Sequence, residues 1–195
     1  PSLPIRDVDG AAGPFGQTLV ALETDGALIL AGGVVDAAGD VVLSPWGSGT
    51  LATPAGGGTF DSVAVRSPSL VLDGPGGESL LYYEGVNDDT RAIGLLVSQD
   101  GGLTWSRQAQ AVLNRGAAGS WDDAWVAQPS VLWDPDRQVF RMWYLGSDGE
   151  EERIGAAESA DGRSWTRHVD AEGITAPVFA AEGLSFAADG VSAIQ

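Results

Sequence analysis

The chain has 195 residues, 44% of them hydrophobic, with 27 acids against 10 bases, a net charge of −17 and a mean hydropathy of +0.02. That composition supplies a real core for one domain, and the acid excess repels nucleic acid and anionic membrane surfaces, leaving neutral or cationic partners. There is no cysteine, no lysine and a single histidine, His168, which excludes disulfides, thiolate chemistry, a phosphate-binding GxxxxGK[ST] loop and histidine-rich metal sites.

In chain order, the first apolar stretch runs from 19 to 43 and is broken by Glu23, Asp25, Asp36 and Asp40, so no membrane-spanning helix is expected. Within it, LILAGG (28–33) reads as a worn copy of LLYYEG (80–85), and Val42-Leu43-Ser44 as one of Leu96-Val97-Ser98. A degenerate repeat is therefore expected over 15–59. Two clear repeats follow, over 60–120 and 121–185. Phe60-Asp61 returns as Trp121-Asp122, Pro68-Ser69 as Pro129-Ser130, Leu81-Tyr82-Tyr83 as Met142-Trp143-Tyr144 and Ile93-Gly94 as Ile154-Gly155, each 61 positions later. Ser98-Gln99-Asp100-Gly101 returns as Ser159-Ala160-Asp161-Gly162, and Ala111-Val112-Leu113 as Pro177-Val178-Phe179. Phe186, Asp189 and Val191 read as the opening of a further copy over 186–195.

Each repeat divides into four short runs rich in Val, Ile, Trp, Tyr and Phe, in the third copy near 126–133, 139–146, 153–159 and 164–169. Turn signals such as Asp134-Pro135-Asp136 and Ser147-Asp148-Gly149 separate them. Four strands in about 60 residues is the mark of a β-propeller blade, so the fold class is all-β: antiparallel four-stranded blades, about three of them.

PSLVLDG (68–74), LLYYEG (80–85) and IGLLVSQDGGLTW (93–105), with their copies PSVLWDP (129–135), RMWYLG (141–146) and IGAAESADGRSW (154–165), resemble the five-bladed β-propeller glycosidases. Those are the arabinanases, β-xylosidases and invertases, with the related mannoside phosphorylases. The likeness covers about 60–169. SQDGGLTW also fits the Asp-box of sialidase-type propellers, read here as a structural turn in which Asp100 accepts backbone N–H groups and Trp105 packs between blades. The resemblance implies five blades, hence a second chain or fragment completing the propeller, and a site on the central axis served by the innermost strands.

The segments feeding those strands are FDSVAVRSP (60–68) and WDDAWVAQP (121–129). Glycoside hydrolysis needs two carboxyl groups across a pocket. Asp61, Glu84 and Asp123 are the expected catalytic acids. Arg66, Trp121, Asp122, Trp125 and Gln128 are the expected substrate contacts, the tryptophans as stacking platforms. Asp61 and Asp122 recur, which favours a structural role in the turn entering each blade, whereas Asp123, Trp125 and Glu84 break the repeat. The family often carries an acid directly before the proline; here Ser67 and Gln128 stand there. Glu158 and His168 read as surface groups. The oxygen-rich hairpins Asn87-Asp88-Asp89 and Asp148-Gly149-Glu150-Glu151-Glu152 read as solvated tips, with calcium possible but unassigned and no other cofactor expected.

Three functions fit: a glycosidase-like propeller acting on an oligo- or polysaccharide, secreted, periplasmic or on the cell surface; a propeller that binds carbohydrate without cleaving it; and a protein-interaction propeller.

Overall fold

A computed structural model describes residues 7–12, 18–24, 26–35, 37–38 and 40–180; the expected start of a further copy at 186–195 lies outside the described residues. Three antiparallel sheets follow one another, each with its strands in chain order. The first holds β1 (Asp7–Ala12), β2 (Thr18–Thr24), β3 (Ala27–Val35) and β4 (Val41–Ala52). The second holds β5 (Ala64–Val71), β6 (Ser79–Val86), β7 (Arg91–Ser98) and β8 (Ser106–Arg107). The third holds β9 (Trp125–Asp134), β10 (Val139–Ser147), β11 (Glu152–Ser159) and β12 (Thr166–Arg167), with β13 (Phe179–Ala180) added against β11. No helix occurs among the described residues. These are propeller blades.

The first sheet begins at Asp7, ahead of the boundary expected at 15, and LILAGG is not its second strand. The counterpart of LLYYEG is β2: Leu19 and Glu23 stand 61 positions before Leu80 and Glu84, and both Leu19 and Leu80 are buried in a seam between sheets. LILAGG lies in β3. Its glycine pair imitates the end of LLYYEG, and both strands are apolar because both are buried, so local pattern alone cannot rank them. The Ala111–Leu113 and Pro177–Phe179 segments do occupy one place: Val112 N–H donates to the Ile93 carbonyl at 2.8 Å, and Val178 N–H to that of Ile154 at 2.8 Å.

Burial explains the sequence of β6. Leu81 and Tyr83 enter the core shared with the first sheet, while Leu80 and Tyr82 enter the core shared with the third. Covered on both faces, the strand reads as an unbroken apolar run rather than an alternation. In β10, Phe140, Met142 and Tyr144 are buried toward the second sheet, and Arg141 and Trp143 on the opposite face are part-exposed, so alternation returns.

The seams also carry polar clasps. An innermost-strand side chain of one sheet accepts the backbone N–H of the next innermost strand: Asp9 takes Leu70 N–H at 2.6 Å, and Ser69 takes Val131 N–H at 2.9 Å. The Asp-box turns are closed from within. Asp100 accepts Thr104 N–H at 2.9 Å and Thr104 Oγ1–H at 2.6 Å, and Asp161 accepts the Ser164 and Arg163 amides at 2.7 and 2.8 Å. Trp105 joins the core of the first seam, while Trp165 meets Tyr82 edge-on across the second with ring centroids 5.7 Å apart.

Gly94 and Gly155 explain the Ile-Gly landmarks. A Cβ at Gly94 would stand 2.3 Å from Tyr83 Cζ, and one at Gly155 would stand 2.4 Å from Tyr144 Cζ. The tyrosine ring lies flat over the bare backbone of the neighbouring strand. Gly155→Ala is expected to cost about 1–3 kcal/mol through overpacking, whereas Gly57→Ala, with nothing within 4 Å, should stay within about 0.5 kcal/mol. Urea unfolding of the two variants checks the pair.

Candidate functional site

Asp61 and Asp122 lie inside their blades. Asp61, 1% exposed, accepts the Tyr83 hydroxyl at 2.8 Å and pairs with Arg107 at 3.0 Å. Asp122, 0% exposed, accepts Tyr144 at 3.0 Å, Arg167 Nε at 2.8 Å and Ser120 Oγ–H at 3.0 Å. Burial first, then the carboxylate, pushes both phenols above their ordinary range, which keeps them donating. The loop that enters each blade is thus fastened across it to the outermost strand. This corrects the expectation that Asp61 and Asp122 face a ligand: their carboxylates have no surface to offer. Trp121 stacks on Tyr144 (centroids 5.7 Å, interplanar angle 21°), as Phe60 does on Tyr83, so the ring face expected to carry a sugar is packed in the blade.

Asp123 is half-buried, and its Oδ2 accepts Gly119 N–H at 2.6 Å, which shapes the 115–124 loop. The acidic hairpins are Asx turns at equivalent positions. Asn87 Oδ1 accepts the Asp89 and Thr90 amides, and Asp148 Oδ1 accepts those of Glu150 and Glu151. These amides, with Arg153, hold the Asp148 carboxyl well below the usual range. Among the described residues no cluster of three acidic, His or Cys side chains could hold a metal ion. Glu158 is paired with Arg137 and His168 is exposed.

The remaining expected residues converge at the innermost strands. Each of the two pre-proline residues takes a left-handed conformation, Ser67 at φ 45° and Gln128 at φ 48°. Both side-chain type and the following proline disfavour it. Each sits in a bulge that breaks register with the second strand, between Arg66 and Ser69 in the second sheet and opposite Trp143–Leu145 in the third. The inverted amide points into the seam, where a second-strand glutamate of the preceding sheet accepts it: Glu23 Oε2 takes Ser67 N–H at 2.9 Å, and Glu84 takes Gln128 N–H. Glu23 was not among the expected residues; its 61-residue offset from Glu84 was the signal, hidden by assigning LILAGG to the second strand.

Glu84 is 2% exposed. Its Oε1 has no hydrogen-bond partner among the described residues and lies 3.8 Å from Arg91 Nη1. Arg66, exposed, is its register partner on β5. The Arg91 guanidinium lies over Trp125, 4.5 Å from the ring centroid. Desolvation raises the Glu84 pKa, against Arg91, Arg66 and the Gln128 amide, and the Glu23 charge adds to the rise. The mouth therefore joins a buried carboxyl with a raised pKa, two arginines, a tryptophan and the Gln128 bulge.

No protein-family model matches the sequence, and no curated protein does. Solved structures match the fold. A family 117 glycoside hydrolase produced by the marine bacterium Zobellia galactanivorans aligns with TM-score 0.67 at 13% identity, over 85% of this chain and 55% of that one. A member of the family 130 mannoside phosphorylases and glycoside hydrolases aligns with TM-score 0.64 at 14% identity, over 92% and 52%. A family 32 β-fructofuranosidase of Bombyx mori aligns with TM-score 0.62 at 16% identity, over 85% and 35%. The chain thus has the fold of the propeller glycosidases and spans about half, or less, of the length of these structures.

The raised Glu84 pKa fixes a sign. A carboxyl that binds its proton more tightly in the fold makes stability greatest below the ordinary carboxylate value, and stability falls as pH rises toward the raised value. Glu84→Gln stays neutral and can still accept the Gln128 amide. Its stability relative to the parent chain should therefore improve between about pH 4 and about pH 7, read by urea unfolding at both.

Proposed function

We propose that this chain contributes to a glycosidase-like propeller whose carbohydrate site is the mouth between the second and third blades, with Glu84 as the proton donor. The carrying observation is the buried Glu84 carboxyl, held by one oxygen on Gln128 N–H while the other has no hydrogen-bond partner among the described residues. Cleavage of a glycosidic bond needs an acid still protonated near neutral pH, and desolvation is the physical route to one. The substrate is an oligo- or polysaccharide outside the cytoplasm, and further blades, from a longer chain or a second one, complete the propeller around the axis.

In this proposal the three expected catalytic acids take different parts. Glu84 lies buried beside the mouth and differs from Asp61 in keeping an oxygen with no hydrogen-bond partner among the described residues. Asp61 is held inside the blade, and its substitution is an experiment on stability. Asp123 borders the loop leading into β9 and is the candidate second carboxylate, the base or nucleophile that hydrolysis requires. Trp125, Arg66 and Gln128 supply contacts to sugar hydroxyls and ring faces.

A second reading, binding without turnover, draws on Ser67 and Gln128. Where related propellers often carry a pre-proline acid, this chain offers no carboxylate at that point.

Incubation with xylo-, arabino-, fructo-, manno- and galacturono-oligosaccharides separates the readings. As an enzyme, the chain releases shorter products, and Glu84→Gln lowers kcat by about 100-fold or more with the fold intact. Saturable binding with no product supports the binding reading, and neither binding nor product sinks both.

A further inference from the structure

Among the described residues, five arginines of this acidic chain donate hydrogen bonds to acids, Arg137 to Glu158 among them. Arg107 bonds Asp61 and the Thr53 carbonyl, Arg153 bonds Asp148 and Glu151, Arg163 bonds Glu78, and Arg167 bonds Asp122 and the Asn114 carbonyl. Acids outnumber bases 27 to 10, so such clasping is the expected state of an arginine here. Arg141, set between Asp134 and Glu158 at 3.8 and 3.7 Å, departs from it, as does the pair Arg66 and Arg91. Neither guanidinium donates a hydrogen bond among the described residues, and their neighbouring acid, Glu84, is a desolvated carboxyl with Oε1 3.8 Å from Arg91, beyond hydrogen-bond length.

The two forks are placed for use. Arg66 is exposed on the innermost strand, directly opposite Glu84 in register. Arg91 lies over Trp125, 4.5 Å from the ring centroid, a cation–π contact that uses none of its N–H donors. Thr90 fixes the base of that side chain by donating to the Ala124 carbonyl at 2.8 Å across the seam. An arginine with an oriented, unbonded fork matches a carboxylate in bidentate geometry better than it matches a hydroxyl.

Resting on the carbohydrate reading above, we propose that the sugar bound at this mouth is acidic, a uronate whose carboxylate is taken by Arg66 and Arg91. The overall charge of −17 opposes an anion at long range, but at physiological ionic strength charges are screened beyond about 8 Å. The local field is then that of the two arginines together with Glu84, whose pKa burial raises, and Glu23. The exposed acids of the neighbouring hairpin, Asp88 and Asp89, lie in solvent, where screening is strongest.

The test is isothermal titration calorimetry of the whole chain with trigalacturonic acid, its methyl ester and the neutral oligosaccharides named above. The acid is expected to bind about tenfold or more tightly than the ester, with affinity falling as salt rises. Arg66→Gln and Arg91→Gln should each erase that preference, and Arg66→Lys should keep the salt dependence while losing part of the preference; circular dichroism confirms that each variant folds. Equal affinity for acid and ester, or an acid preference that survives both Gln variants, overturns the uronate assignment. Binding of neutral sugars alone also overturns it while leaving the carbohydrate site standing. Failure of every sugar to bind overturns both.

Discussion

The seam between successive sheets is the constraint on which the rest of this structure depends. A four-stranded sheet with two apolar faces is not stable alone; it needs a neighbour on each side. β6 shows the consequence most directly, with alternate residues feeding two different cores. Every other feature of the repeat either fills a seam or satisfies polar backbone groups caught in one. The bulge before Pro68 and Pro129 is the costliest of these, since a left-handed residue ahead of a proline stores strain. It persists because the amide it turns inward meets a buried glutamate.

That glutamate connects fold to chemistry. At the first seam Glu23 receives Ser67 and serves the joint between blades. At the second, the same device in Glu84 lies beside Arg91 and Arg66, and Arg91 in turn lies over Trp125. A structural clasp acquires a shifted proton affinity and a charged surrounding through neighbours alone. The Asp61 and Asp122 networks make the contrast clear. They repeat faithfully, aspartate to tyrosine to arginine, and they are sealed. Repetition marks what the blade needs; departure from the repeat marks where one blade differs in surroundings.

Much of this was legible in the sequence. The constant 61-residue offset, the aromatic pairs and the turn residues sufficed for blades, because each landmark has a local physical reason to recur. The glycines after Ile93 and Ile154 admit a tyrosine ring, and the Asp-box aspartates close a turn with their own carboxylate. LILAGG imitates LLYYEG because β2 and β3 both carry buried apolar runs, so local pattern does not rank them.

What the sequence by itself determined is the class of fold, the strands of the two clear blades, the absence of thiolate and lysine chemistry, and the short roster of acids and aromatics near the innermost strands. Which of those acids is fully bonded inside its blade was decided only in three dimensions. Asp61 and Glu84 are both acids beside aromatics in the same blade. One is consumed by a tyrosine and an arginine brought from strands more than 20 positions away, and the other keeps an oxygen without a hydrogen-bond partner among the described residues. That distinction depends on which donors the folded chain brings within hydrogen-bond reach, and donors distant in sequence leave no mark on the residue they satisfy.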